Sequence, residues 1–146
     1  MLTGEYRNSL DEKGRLLIPA RLRNDISGNS LVITRGVDAC LWAFMPGQWT
    51  DIATRLSETT SLFQKKARIL KRRIIAPAQE IEIDKAGRIN IPPSLREYGS
   101  LGKEVVLLGL EDYIEIWDEE LYRRDMDENE AEFLSAAEEL GKILSL

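Results

Sequence analysis

One fourteen-residue stretch of this chain occurs twice. Leu10-Asp11-Glu12-Lys13-Gly14-Arg15-Leu16-Leu17-Ile18-Pro19-Ala20-Arg21-Leu22-Arg23 aligns with Ile83-Asp84-Lys85-Ala86-Gly87-Arg88-Ile89-Asn90-Ile91-Pro92-Pro93-Ser94-Leu95-Arg96 at an offset of 73 residues, without a gap. The same offset brings Val32 and Ile33 onto Val105 and Val106, Gly36 onto Gly109, and Leu41 onto Ile114. Stacked repeats need three or more units before they bury a continuous core. Two copies therefore predict a pseudo-symmetric unit, in which each half-fold completes the core of the other.

Each copy reads as strand, tight turn, strand, short helix and hairpin. In the first, Glu5 to Leu10 leads into Asp11-Glu12-Lys13-Gly14. Aspartate at the first position and glycine at the fourth is the chemistry of a type I turn: the carboxylate accepts from a backbone N–H two residues on, and glycine tolerates positive φ. Arg15 to Ile18 leaves as a strand that Pro19 stops, because proline cannot donate to a ladder. Proline suits a helix start, so Ala20 to Asp25 is predicted as a short helix with Leu22 inward. The second copy repeats every step. Its Ile81, Ile83, Ile89 and Ile91 alternate with mostly polar residues, the period of a strand with one buried face. A second strand pair follows each helix: Leu31 to Thr34 and Cys40 to Phe44 around Gly36, then Glu104 to Leu108 and Tyr113 to Trp117 around Gly109.

Helices fill the rest. Pro46 to Leu56 is predicted as one, with Trp49, Ile52, Ala53 and Leu56 on a face. Leu62 to Ile75 is a second, with Phe63, Ala67, Leu70 and Ile74 at amphipathic spacing, ended by Pro77. Glu128 to Leu144 is a third, with Phe133, Ala137, Leu140 and Leu144 on one side. A helix at Asp118 to Arg123 is expected to match the one beginning at Pro46. The division expected is a first repeat over 1–49, a helical insert over 50–76, a second repeat over 77–122 and an acidic C-terminal helix over 123–146. The fold class expected is α+β, mainly β in its core.

Several function classes lose their usual residues. The chain contains no histidine, hence neither the commonest general base nor the commonest metal ligand. Its single cysteine, Cys40, sits in a strand and reads as a small buried hydrophobe. A lone cysteine also fits a reducing compartment. Apolar runs such as Val105 to Leu108 are far too short to span a membrane, and the first residues show no signal-peptide pattern. No catalytic residue, metal site or cofactor is expected.

Charge is divided. Residues 1–76 carry 13 basic and 7 acidic side chains, a net of +6, whereas residues 77–146 carry 7 and 18, a net of −11. Such asymmetry hints at nucleic-acid contact by one part and a solvating or partner-binding role for the other; different solvated faces would also produce it. The sharpest candidates are Arg15 and Arg88, one residue beyond each turn glycine. A hairpin presents a guanidinium rigidly, and its planar fork suits phosphate or the edge of guanine. The alternative is that each arginine merely braces its own turn through Asp11 or Asp84.

The paired pattern Asp11-x-x-Gly14-Arg15-x-x-Ile18-Pro19-x-x-Leu22-Arg23 and Asp84-x-x-Gly87-Arg88-x-x-Ile91-Pro92-x-x-Leu95-Arg96 resembles the AbrB/SpoVT family of bacterial DNA-binding domains. That resemblance implies a swapped-hairpin double-β barrel, here completed within one chain by tandem repeats. Two copies with a helical insert, behind the opening Met1-Leu2-Thr3-Gly4-Glu5-Tyr6, are similar to a branch of transcriptional regulators encoded with division and cell-wall genes. Members of that branch form rings and bind repeated short boxes in promoter DNA. The resemblance ties the signature arginine to DNA, which maps to Arg15 and Arg88. Charge adds Arg7, Lys13, Arg21 and Arg23 in the first copy and Lys85 in the second, and it ranks the Arg15 hairpin as the main reader and the Arg88 hairpin as the weaker one. The expected partners are double-stranded DNA and further copies of the chain, with no membrane, in a cytoplasmic protein on the nucleoid. The run from Lys65 to Arg73 is expected to be solvated or to pair with the acidic C-terminal segment of a neighbour. Trp42, Trp49 and Trp117 are expected in core or subunit contacts rather than stacked on bases. The competing reading is a protein-interaction module like the antitoxins that clamp a toxin.

Overall fold

The computed structural model describes residues 1–145. Its architecture is α+β, built on antiparallel strands. The first repeat contributes β1 (Leu2–Ser9), β2 (Arg15–Leu17), α1 (Ala20–Arg23), β3 (Ser30–Arg35) and β4 (Leu41–Phe44). The second contributes β5 (Gln79–Glu82), β6 (Arg88–Asn90), α4 (Pro93–Tyr98), β7 (Glu104–Glu111) and β8 (Tyr113–Asp118). Between them lie α2 (Pro46–Thr59), α3 (Lys65–Leu70) and a π-helical turn over Lys71–Ile75; α5 (Glu119–Glu128) and α6 (Glu130–Leu144) follow.

Six strands form one sheet in the order β1-β7-β8-β4-β3-β5, and β2 pairs with β6 as a separate two-stranded ribbon. The order is a palindrome under the repeat offset. β1 pairs not with its own β3 but with β7, and β5 pairs with β3. Each repeat thus lends its first strand to the other, the exchange that two mutually completing half-folds require. β4 and β8 meet at the centre.

Strand alternation sorts the two faces of the sheet. Leu31, Ile33, Leu41, Ala43, Val105, Leu107, Ile114 and Ile116 point to the inner face, where Leu16, Ile18, Ile89 and Ile91 of the ribbon strands close over them with Leu22 and Leu95. On the outer face Cys40, Val106 and Trp117 pack with Trp42, Leu108, Leu121 and Tyr122, so α5 covers that side. The π-helical turn also lies on the outer face, where Thr34 donates its hydroxyl to the Ile74 carbonyl. Ribbon and insert therefore sit on opposite sides of the sheet.

Three sequence expectations change. The second hairpin does not turn at Gly109. The long β1 holds β7 straight as far as Glu111, and the turn falls at Glu111 and Asp112, with Glu111 at φ 67°. Gly109 instead permits close approach: a Cβ there would lie 2.7 Å from the Thr3 nitrogen. The helix expected over Leu62 to Ile75 begins at Lys65 and widens into the π turn, and of its apolar stripe only Ala67 is buried. The helix expected at Asp118 to Arg123 runs on to Glu128, and the C-terminal helix, expected from Glu128, begins at Glu130 after a break at Asn129. Asp118 caps α5 by accepting from the Leu121 N–H at 3.2 Å, and α6 leaves the sheet altogether.

Candidate nucleic-acid interface

Both turns adopt the geometry their residues predict. In the first, the Gly14 N–H donates to the Asp11 carbonyl at 3.0 Å, and Gly14 takes φ 82°. In the second, the Gly87 N–H donates to the Asp84 carbonyl at 2.9 Å, with φ 86°. One carboxylate oxygen of Asp11 accepts from the backbone N–H groups of Lys13 (2.9 Å) and Arg15 (2.8 Å); the other accepts from Arg15 Nε at 2.7 Å. Asp84 repeats this with Ala86 and Arg88, its Arg88 Nε contact being 3.1 Å. These donors, led by the backbone N–H of the arginine, hold both carboxyls below their ordinary value. The bracing alternative is thus real, but it consumes only Nε. The terminal nitrogens of each guanidinium remain for another acceptor.

The two hairpins meet in the ribbon. Arg15 faces Asn90, Leu16 faces Ile89 and Leu17 faces Arg88 across the pair. Gly87 and Gly14 extend the ladder, their carbonyls accepting from Ile18 and Ile91 at 2.9 Å each. Leu16 and Ile89 are fully buried, so strand alternation turns Arg15, Leu17, Arg88 and Asn90 to the opposite, solvent-facing side. The side chains of Arg15 and Arg88 are 33% and 35% exposed. They lie diagonally on one face, their Cα atoms on the order of 7 Å apart. Asn8 supports this face by donating its side-chain amide to the Leu17 carbonyl at 2.8 Å.

The other basic residues divide by position. Lys13 and Lys85 are exposed at the turn tips, and Arg21 is exposed on α1. Arg7 is elsewhere: odd-numbered residues of β1 face outward, and Arg7 is held by Glu5 at 3.1 Å and by Glu119 of α5 at 3.3 Å. Glu5 also accepts from Tyr122 at 2.7 Å, so this cluster belongs to the helix-covered side. Arg23 is half-buried, with Nε donating to the Ile18 carbonyl at 2.8 Å and its guanidinium against Gly87. The net basic excess of the first half therefore does not collect at the Arg15 turn. With Arg7 withdrawn and Arg23 lying over the second turn, the ranking of Arg15 above Arg88 rests on Lys13 and Arg21 against Lys85. Asn90 and Leu17 complete the exposed face and were not singled out in the sequence; their parity with the two arginines was the available signal.

Cys40 is buried, and burial first of all pushes its thiol far above the ordinary range. The tryptophans are off the ribbon: Trp42 makes edge contacts with Phe44 and Tyr113, Trp49 packs on Phe44, and Trp117 on Tyr122. Among the described residues no helix is long and apolar enough to cross a membrane.

Comparison with known proteins gives a consistent result. A family model described as "MraZ protein, putative antitoxin-like" matches twice, over residues 1–73 and 74–142. The chain is 49% identical to "Transcriptional regulator MraZ" of Treponema denticola over 142 residues, covering 97% of this chain and 99% of that protein. It is 49% identical to the protein of the same name from Treponema pallidum, covering 97% and 95%. A third, from Ligilactobacillus salivarius, is 42% identical and covers 96% of each. The chain belongs to the MraZ family.

Proposed function

We propose that this protein is a sequence-specific DNA-binding transcriptional regulator that reads duplex DNA with the β2–β6 ribbon. One observation carries the reading: two Asp-braced arginines, one from each repeat, share the exposed face of a single two-stranded ribbon. The major groove admits such a ribbon, and an arginine fork matches the O6 and N7 acceptors of guanine. A spacing on the order of 7 Å is about the rise of two base pairs, so both forks reach one groove segment. Lys13, Lys85 and Arg21 flank the ribbon and supply phosphate contacts. The names of the relatives agree with this role.

A four-residue face offers few base contacts, so affinity on this reading comes from several copies on repeated promoter boxes. The promoter is that of the division and cell-wall gene cluster, including the protein's own gene, which places the protein in the cytoplasm on the nucleoid. The face of α6 bearing Phe133, Leu140 and Leu144 is exposed and supports self-association.

The test is a gel-shift titration on that promoter. Arg15→Ala and Arg88→Ala should each weaken binding by about 5- to 150-fold, the worth of a bidentate base contact. Wild-type binding by both variants would overturn the assignment. Co-purification of a small toxic partner, with no DNA binding at low salt, would mark a toxin-clamping module instead.

A further inference from the structure

Each copy of the motif ends in an arginine, and neither arginine serves its own turn. Arg96, on α4, lies over the turn of the first repeat: a Cβ built on Gly14 would fall 2.7 Å from its Cζ and 2.9 Å from its Nε and Nη1. Arg23, on α1, lies over the turn of the second, where a Cβ on Gly87 would collide with its Nη1, Cζ and Nε. Both glycines are buried, and each directly precedes the Asp-braced arginine of its turn. Both also accept a ladder hydrogen bond from the opposite ribbon strand. The turn is therefore clamped from one side by the ribbon and from the other by a guanidinium of the other repeat.

Neither guanidinium has an acid partner within salt-bridge distance among the described residues. Arg23 anchors through Nε to the Ile18 carbonyl. Arg96 Nε is buried with no hydrogen-bond partner, so packing against the turn accounts for its placement. Only glycine leaves room for the guanidinium there, and a lysine ammonium would not reproduce its flat packing over the turn. This adds a reason for glycine beyond positive φ.

We propose that Arg96 and Arg23 are positioning residues acting across the repeats. Arg96 sets the turn that presents Arg15, and Arg23 sets the turn that presents Arg88. Neither needs to touch DNA. For its functional consequence the proposal rests on the ribbon being the DNA-reading element; the crossed pairing itself does not.

Two measurements test it. In the free protein, side-chain 15N NMR should show Arg96→Lys moving the Arg15 Nε–Hε signal and leaving that of Arg88 in place, with Arg23→Lys doing the reverse. On promoter DNA, Arg96→Lys should weaken wild-type binding on the order of tenfold. It should add little in an Arg15→Ala background and its full effect in an Arg88→Ala background. An arginine that contacted DNA directly would add in both. If Arg96→Lys does not fold, Arg96→Gln keeps a planar end and takes its place. Signals that move in parallel for Arg15 and Arg88, or additivity in both backgrounds, would overturn the proposal. Absence of wild-type DNA binding would overturn the ribbon reading, and the NMR result would still decide the crossed pairing.

Discussion

At the scale of the residue, one carboxylate does two jobs in each turn. Asp11 and Asp84 order the turn through backbone N–H groups and steer the following arginine through Nε. The turn was legible because Asp, Gly and positive φ are linked locally. The fate of Arg7 and Arg23 was not, because net charge counts side chains without saying which face carries them. A pH dependence follows from the lowered carboxyls. Their native values lie below their unfolded ones, so the stabilisation is complete above the ordinary aspartate range and disappears as pH falls through the native values. The stability difference between wild type and an Asp11→Asn, Asp84→Asn double variant should be constant from pH 7 to 5 and close below about pH 4. Thermal melts across that range check this; a difference that grows toward acid would contradict it.

At the scale of the element, the ribbon has two unequal faces. Leu16 is fully buried, whereas Leu17 is 40% exposed beside Arg88. Leu16→Ala should cost about 2–5 kcal/mol in denaturant unfolding, and Leu17→Ala about 0.5 kcal/mol or less. Similar losses would mean that the ribbon does not lie on the core as described. Alternation made the buried set readable from Ile89, Ile91 and their counterparts. The misplaced Gly109 turn shows the limit of that reading. A glycine marks either a turn or a close approach, and the long-range pairing of Gly109 with Gly4 decided between them. The π turn was hidden for a similar reason, since its contact with Thr34 joins segments 40 residues apart.

At the scale of the molecule, the 73-residue offset in the sequence becomes a palindromic sheet with exchanged first strands. The duplication was legible and the family resemblance implied a swapped-hairpin barrel, but the pairing of β2 with β6, which puts both arginines on one face, is a long-range contact the sequence did not reveal. The helices depart from the symmetry. α3 and the π turn carry Lys65, Lys66, Arg68, Lys71, Arg72 and Arg73, while α6 is acidic and exposes Phe133, Leu140, Ile143 and Leu144. The basic π turn packs on β3, whereas the acidic α6 extends from α5 at the β7–β8 side, an arrangement suited to head-to-tail contact between copies. Replacing Leu140 and Leu144 by Asp should shift sedimentation to smaller species without loss of helix or sheet; an unchanged assembly would exclude α6 from the contact.

The most direct test of a shared arginine-bearing ribbon is dimethyl sulfate footprinting of guanine N7 on the protein's own promoter. Wild type should protect guanines within each box, and Arg15→Ala and Arg88→Ala should each remove part of that protection. Guanine N7 positions that stay fully reactive under bound wild-type protein, or protection unchanged by both substitutions, would contradict it.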